Sequence, residues 1–394
     1  EIMPSLVGSE MCIRDRARGR SMFRQRRSQR LPTIEQAAAG CQKGGPAAGP
    51  RVPVHNTGKN GCLFIEVGVS PRAPTDYNGG DNRSLSNRRG SMATLFVENL
   101  TVVDFSYLHA KRGMVGESWI VDLELSGDLD AQGMVFDFGH IKKALKQAVD
   151  ERVDHRLLLP GESDLLGLHR RDDGHISLEW RYLAGEIRMV APADSILELS
   201  GTAITKAGVT LYLMDLIRDS VPDNVTEVRV VLREQDTGTA PFYHYSHGLK
   251  KHDGNCQRIA HGHRSGIEIF ENGRRSRYWE KLWADRWEDI YIGTRSDLEG
   301  TYYVEDVPHH RFRYDAEQGH FELVIPEDHC YLVDTDSTVE NLAEHIAEEL
   351  AREAPGKRFR VRAFEGVGKG AIAEAGEDNP GRAKAGWLQG SSVL

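Results

Sequence analysis

The stretch Cys256-Gln-Arg-Ile-Ala-His261-Gly-His263 decides how the rest of this chain is interpreted. Successive side chains of a β-strand alternate between its two faces, so His261 and His263 would present both imidazoles on one face. Gly262 between them has no side chain and lets a neighbouring backbone or a ligand approach closely. The stretch therefore predicts a strand that carries two metal-ligating side chains.

Histidines are concentrated around this stretch. Five of the sixteen histidines of the chain lie between residues 244 and 263. His247, placed on a neighbouring strand, supplies a third imidazole. Zinc held by three histidines keeps its fourth position open, as catalytic zinc sites do. The sequence therefore predicts a zinc site on His247, His261 and His263, and the competing interpretation is a solvent-exposed, histidine-rich hairpin.

Cys256 has two alternative roles in such a site. It is either a further metal ligand in a closed structural site, or a thiolate beside the metal that acts as a general base. Structural zinc sites usually carry several cysteines, and no second cysteine lies nearby in the sequence. This favours the general base.

Regular secondary structure is predicted from Met92 onward. Residues 118–125 place Trp, Val, Leu and Leu on one face, which is typical of a half-buried strand. Apolar residues at helical spacing predict three helices, over residues 138–153, 208–217 and 338–352. Ser337 is the expected N-cap of the last helix, in a capping box with Glu340.

One sequence pattern occurs twice. A helix, a short loop and a strand are predicted before Glu234 and again before Glu365, and Asp-His occurs at Asp154-His155 and at Asp328-His329. A carboxylate next to a histidine orients the imidazole and raises its basicity. The repetition predicts two copies of one α+β unit rather than two unrelated domains.

These motifs resemble those of the 6-pyruvoyl-tetrahydropterin synthase and 6-carboxytetrahydropterin synthase family. The second half has Tyr243-His-Tyr-Ser-His247 before the Cys256–His263 stretch, and the first half has Gly133-Met-Val-Phe-Asp-Phe138. The first half departs from the family pattern where zinc would bind. Val115-Gly-Glu117 stands in the His-Gly-His position, and His109 is the candidate relic of a ligand.

The resemblance implies a fold. Family members adopt the tunnelling fold, so we expect an α+β protein of two tandem units, each an antiparallel four-stranded sheet with two helices on one face. The expected units are residues 92–238, without zinc ligands, and residues 239–375, with zinc, followed by a flexible tail at 376–394. Insertions are expected near residues 161–193 and 295–322. Open sheet edges need covering, so a homo-oligomer is expected.

The resemblance also implies a reaction. A zinc-dependent lyase of this family would convert 7,8-dihydroneopterin triphosphate to 6-carboxytetrahydropterin, on the route to queuosine. The implied roles are zinc binding by His247, His261 and His263, proton abstraction by Cys256, proton relay by Asp328-His329 or Asp154-His155, and pterin anchoring by Glu365 or Glu234. The alternatives are the 6-pyruvoyl product, a non-catalytic pterin-binding paralogue and a structural zinc module.

Composition excludes other classes of function. The mean hydropathy of the 394 residues is −0.48, and no apolar run is long enough to span a membrane. Residues 92–394 carry 35 basic and 52 acidic side chains, which argues against nucleic-acid binding because phosphates require cations. Five cysteines are too few for a disulfide scaffold, so a cytoplasmic location is expected.

The first 91 residues are expected to lie outside the fold. They hold 15 basic and 7 acidic residues, lack helical or strand periodicity and are broken by Gly-Pro and Gly-Gly pairs. A basic arm for nucleic acid is one interpretation. However, residues 1–16 resemble a peptide translated from sequencing-adapter DNA, so Met92 is the expected start of the protein.

Overall fold

Eighteen β-strands and four α-helices make up residues 92–376, the part of the chain that the computed structural model describes. The predictions for residues 1–91 and for the tail after Gly376 lie outside the described residues. In chain order the elements are β1 (Met92–His109), β2 (Gly113–Asp128), α1 (Phe138–Val153), β3 (Leu157–Pro160), β4 (Leu166–Arg170), β5 (His175–Tyr182), β6 (Gly185–Pro192), β7 (Ile196–Leu199), α2 (Lys206–Arg218), β8 (Val225–Arg233), β9 (Phe242–His247), β10 (His261–Glu271), β11 (Arg274–Arg275), α3 (Arg277–Arg286), β12 (Ile290–Thr294), β13 (Leu298–Val304), β14 (Val307–Ala316), β15 (Gly319–Pro326), β16 (Cys330–Val333), α4 (Val339–Glu353), β17 (Arg358–Phe364) and β18 (Gly370–Gly376).

The first sheet has the strand order β7-β3-β1-β2-β8. The prediction of four antiparallel strands is wrong here, because β3 runs parallel to β1 and β7 runs parallel to β3. Helices α1 and α2 pack on one face of the sheet, and Val121 and Leu123 of β2 share a core with Leu145 of α1 and Leu213 of α2. The alternation predicted for β2 is confirmed by the burial of its apolar side chains.

The second sheet repeats the first, element by element. Its order is β16-β12-β9-β10-β17-β18, with β11 paired to β10. Each strand of the first sheet has an equivalent with the same neighbours and the same direction: β9 for β1, β10 for β2, β12 for β3, β16 for β7 and β17 for β8. Likewise, α3 corresponds to α1 and α4 to α2. This repeated topology confirms the tandem duplication. The three predicted helices are found within two residues of their expected ends.

The two insertions form a third sheet together. Strands β4 to β6 come from the first unit and β13 to β15 from the second, in the order β13-β14-β15-β6-β5-β4. Strands β6 and β15 join the two halves through antiparallel pairing that includes Met189 and Leu323. Trp180 and Phe321 lie in the core beneath this sheet. The insertions therefore join the two units to each other.

The first two sheets touch where β1 and β2 meet β9 and β10. The hydroxyl groups of Ser106 and Ser246 are 2.7 Å apart. A methyl group at Gly262 would come within 2.6 Å of the Cα of Gly116, so this contact requires glycine at that position. The Gly262 of the opening motif is thus used for close approach of the other unit.

Candidate metal and active site

Three buried imidazoles meet at one end of the β9–β10 ladder. His247 and His261 are register partners, and His263 lies on the same face two residues later. The ring centroids of His247 and His261 are 4.4 Å apart, and those of His247 and His263 are 5.3 Å apart. Each side chain offers a ligating atom, and the three atoms lie within 4.8 Å of one another. Buried as they are, these residues do not form an exposed histidine-rich hairpin.

Hydrogen bonds leave one nitrogen of two of these rings free to bind a metal. Nδ1 of His247 lies 3.1 Å from the carbonyl oxygen and 3.0 Å from the hydroxyl of Ser337, and Nδ1 of His261 lies 2.8 Å from the carbonyl oxygen of Arg258. These acceptors fix the ring orientations and leave each Nε2 as the metal-binding atom.

The protonation of these imidazoles suits metal binding. Burial, reinforced by the neighbouring histidines, holds the pKa values of His247 and His261 well below the ordinary value, so both rings are neutral. Among the described residues, Nε2 of His247 and Nε2 of His263 have no hydrogen-bond partner. Buried nitrogens of this kind need a partner, and three imidazoles fit a zinc ion with an open fourth position.

Cys256 and His155 lie beside this cluster. Cys256 lies in a short 3₁₀ helix, Gly254–Gln257, and its sulfur, a nitrogen of His155 and a nitrogen of His261 lie within 4.8 Å of one another. His155 belongs to the first unit, in the turn between α1 and β3. Its ring centroid is 4.9 Å from that of His261. Cys256 and the histidine cluster therefore belong to one unit, and His155 beside them belongs to the other.

Asp154 holds His155 in place. Nδ1 of His155 is 2.6 Å from Oδ2 of Asp154. Burial alone would lower the pKa of His155, but bonds to Asp154 and Cys256 raise it to about 10. His155 also adopts a left-handed backbone conformation with φ of 56°, which is uncommon outside glycine and concentrates at functional sites.

Asp328-His329, the alternative candidate for the relay, does not lie beside Cys256 and His261 as Asp154-His155 does. It forms a 3₁₀ helix between β15 and β16, and the ring of His329 packs against Tyr182. Tyr291 of β12 is the register partner of both Cys330 and Ser246, so Cys330, the next residue after His329, lies two strands away from Ser246, roughly 10 Å. The motif repeats in sequence without repeating in the fold.

The structural counterpart of Asp154-His155 is Glu288-Asp289. Leu157 and Tyr291 occupy equivalent register positions, which places Asp289 where the first unit has His155. Asp289 has nearly the same left-handed φ, 57°. The second unit thus keeps the backbone of the relay without its histidine.

The two candidate anchoring glutamates lie in different surroundings. Glu365 follows β17, and its Oε2 is 3.7 Å from Nζ of Lys369, which lies 3.4 Å from Oδ2 of Asp104. Lys369 therefore connects Glu365 with the histidine cluster. Glu234 follows β8 in the first unit and is bonded to Lys206 at 2.6 Å.

The first unit has a counterpart of the histidine cluster with different chemistry. By strand register, Tyr107 of the first unit corresponds to His247, Val115 to His261 and Glu117 to His263. His109 lies two residues beyond the ligand position, so the expectation that it is a relic ligand is wrong. The guanidinium of Arg112 bonds Asp289 at 2.7 Å and the hydroxyl of Tyr107 at 3.2 Å. A cationic side chain of the protein therefore lies at the position that corresponds to the histidine cluster of the second unit.

Three residues near the site are not among the site residues predicted from the sequence. Asp104 lies 3.3 Å from His263, Ser337 bonds His247, and Lys369 connects Asp104 with Glu365. The sequence pattern assigns Ser337 to helix capping, but Thr338 is the N-cap of α4. Ser337 and Thr338 are adjacent polar residues at the start of the helix, so the sequence does not show which of them is the cap. No sequence signal links Asp104 to a histidine 159 positions away.

Comparison with known proteins identifies the family. The family model described as 6-pyruvoyl tetrahydropterin synthase matches the chain twice, over residues 105–244 and residues 240–376. The chain belongs to the 6-pyruvoyl tetrahydropterin synthase family. Each match covers one of the two repeated units, so the family assignment and the tandem duplication agree. Members of this family are lyases that act on pterins.

Individual relatives are distant. A Pyrococcus abyssi protein named "Putative 6-carboxy-5,6,7,8-tetrahydropterin synthase" is 20% identical over 148 residues, 38% of this chain and 85% of its own length. A protein of the same name from Pyrococcus horikoshii is 21% identical over 127 residues, 30% of this chain and 67% of its own length. The solved 6-pyruvoyl tetrahydropterin synthase of Plasmodium vivax is 20% identical with a TM-score of 0.31, covering 37% of this chain and 94% of that one.

No helix in residues 92–376 is both long and apolar enough to cross a membrane.

Proposed function

We propose that the protein is a zinc-dependent lyase that converts 7,8-dihydroneopterin triphosphate and water to 6-carboxytetrahydropterin, with release of triphosphate and acetaldehyde. The observation that carries the proposal is the cluster of three buried imidazoles beside Cys256 and the Asp154-His155 pair. The names of the two Pyrococcus relatives support the carboxy product.

In this proposal the second unit holds the metal. His247, His261 and His263 would bind Zn²⁺, each through a nitrogen, leaving a position for substrate. Bound zinc would act as a Lewis acid that acidifies the hydroxyl groups of the substrate side chain. The three histidine side chains are at most 1% exposed, and charge interactions are stronger in such low-dielectric surroundings than in water.

The proton chemistry is assigned to Cys256 and the relay pair. Cys256 would take a proton from the substrate side chain, and His155 would exchange protons with it at close range. Asp154 fixes the orientation of the His155 ring through the 2.6 Å bond to Nδ1. Glu365 would bind the paired N–H groups of the pterin, since a carboxylate accepts two parallel hydrogen bonds.

Zinc stoichiometry of the full-length protein tests the metal site. We expect one zinc per chain, and we expect His261→Ala to lose it. His252→Ala is the matched control, because this exposed histidine is close in sequence and outside the cluster. Zinc in neither the parent nor the control would refute the zinc-dependent lyase and leave a pterin-binding paralogue.

Turnover separates the remaining alternatives. The parent is assayed with 7,8-dihydroneopterin triphosphate, and the product is identified by mass spectrometry as the carboxy or the pyruvoyl compound. Cys256→Ala should keep its zinc and lose turnover by roughly 10²-fold or more, the range expected for a general base. Loss of zinc in Cys256→Ala would instead indicate a structural site with a cysteine ligand.

We further propose that the protein assembles as a cytoplasmic homo-oligomer. Strands β8 and β18 end their sheets and hydrogen-bond to a single neighbouring strand among the described residues. Such edges favour pairing with another chain. Light scattering on the purified protein tests this, and a monomeric mass across the micromolar range would refute it.

A further inference from the structure

Asp104 is a buried carboxylate of the first unit that faces the second. Its side chain is 5% exposed, and its Oδ1 lies 3.3 Å from Nδ1 of His263. The hydroxyl of Ser118 donates to the same oxygen at 2.5 Å, and Nζ of Lys369 lies 3.4 Å from Oδ2. A buried carboxylate is costly unless it is paired, so its position against an imidazole of the other unit calls for a reason.

His263 differs from the other two proposed ligands. Nδ1 of His247 and Nδ1 of His261 each have an oxygen acceptor within 3.1 Å, whereas among the described residues His263 has no hydrogen-bond partner on either nitrogen. Oδ1 of Asp104 and Nδ1 of His263 are 3.3 Å apart, so a small rotation of either side chain would form a hydrogen bond between them. A carboxylate on the second nitrogen of a ligating imidazole fixes its tautomer and raises its affinity for metal.

We propose that Asp104 is the positioning residue for His263, so that the unit without zinc ligands orients a zinc ligand of the other unit. This inference rests on the proposed zinc site. It assigns the first unit a role in metal binding.

The pseudo-symmetric position supports this assignment. Asp104 corresponds to His244, and His263 corresponds to Glu117. These counterparts also form a carboxyl–imidazole pair between units, with the acid and the base exchanged. There the separation is 4.0 Å, and Nδ1 of His244 bonds the carbonyl oxygen of Gly116 at 2.7 Å instead. The short carboxylate contact is therefore found at the imidazole that belongs to the metal cluster.

The main chain of Asp104 has a separate task. Its N–H donates to Oδ1 of Asp154 at 2.8 Å, and its carbonyl accepts from the N–H of His155 at 2.6 Å. Substituting the side chain leaves both bonds in place. A change in zinc affinity can thus be separated from a displacement of the relay pair.

The test is the zinc dissociation constant of the full chain, measured by competition with a chromogenic chelator. We expect Asp104→Ala to weaken zinc binding about 100-fold and Asp104→Asn, which keeps an acceptor without the charge, about 10-fold. Glu117→Gln is the matched control, because it replaces the similarly buried carboxyl of the counterpart pair. It should bind zinc within about twofold of the parent, as expected for a group outside the metal's surroundings.

The outcomes separate this inference from the proposed function. A parent that binds zinc with Asp104 variants of equal affinity would overturn the inference alone. A parent that binds no zinc would overturn the proposed function and the inference together. Unfolding of the metal-free proteins is measured in parallel, since a merely structural role would destabilise that form and leave the zinc dissociation constant unchanged. If neither Asp104 variant folds, Ser118→Ala removes the hydrogen bond that holds this carboxylate in position and should weaken zinc binding by at least about threefold.

Discussion

Glu117 offers a sharp test of how the first unit has changed. It occupies the position that corresponds to His263 in the second unit, and its side chain is 7% exposed. Burial raises the pKa of this carboxyl from its ordinary 4.5 to about 7. The charged groups that face it are Glu234, which adds to the rise, Arg264, Lys206 and Arg112, which favour ionisation, and His244 at 4.0 Å.

The sign of the effect on stability follows from proton binding. Between about pH 4.5 and pH 7 the native state keeps a proton on Glu117 that the unfolded chain releases. Stability therefore falls as the pH rises through this window and stays level above it. The difference between the two pKa values corresponds to about 3 kcal/mol, since a tenfold change in proton affinity is about 1.4 kcal/mol.

Glu117→Gln removes this titration and keeps an acceptor for the N–H of Ser118, which Glu117 bonds at 2.9 Å. We expect the free energy of unfolding of the variant, relative to the parent, to rise by about 3 kcal/mol between pH 4.5 and pH 8. The assay is urea unfolding at both pH values with excess chelator, so that zinc makes no contribution. Glu227→Gln, an exposed carboxylate on β8, controls for loss of a negative charge. A constant difference between variant and parent would refute the reasoning.

Three further substitutions test the contact between the units and the site. Gly116→Ala places a methyl group 1.9 Å from the carbonyl oxygen of Tyr245, and urea unfolding should show a loss of about 3 kcal/mol from overpacking. Arg112→Ala leaves the carboxylate of Asp289, 16% exposed, without its cation, and should cost about 2 kcal/mol in the same assay with no change in zinc content. His155→Asn should keep its zinc and lower turnover of 7,8-dihydroneopterin triphosphate by roughly 10²- to 10³-fold, measured in steady-state kinetics.

Local patterns in the sequence predict the local structure well. The period of two in β2 and the placement of His261 and His263 on one face depend on neighbouring residues alone, and both are found in the structure. The helix ends are equally accessible, because apolar spacing and polar caps lie within one segment. The order of the strands in the sheet cannot be predicted from local sequence, since β3 and β7 are four-residue strands that pair in parallel with distant partners.

The candidate site is harder to predict because two units build it. Asp154-His155 and Asp328-His329 are indistinguishable as dipeptides, and position in the fold separates them: one ends α1 and the other lies beside the inserted sheet. Spacing alone does not separate Ser337 from Thr338 as a helix cap. The joining of the two insertions through β6 and β15 also has no local signal.

The residues that each unit lacks form complementary sets. If both sites of the tandem chain were complete, each unit would carry three ligating histidines and also an Asp-His relay for its neighbour. The first unit lacks the histidines, and the second has Glu288-Asp289 in place of the relay. These two losses remove parts of the same site, the one in which Arg112 now bonds Asp289. Asp154 and His155 remain in the first unit, and His155 lies beside Cys256 and His261 of the other site. Under the proposed function the first unit supplies the relay of its neighbour's site, so deleting it should abolish turnover even with His247, His261 and His263 intact.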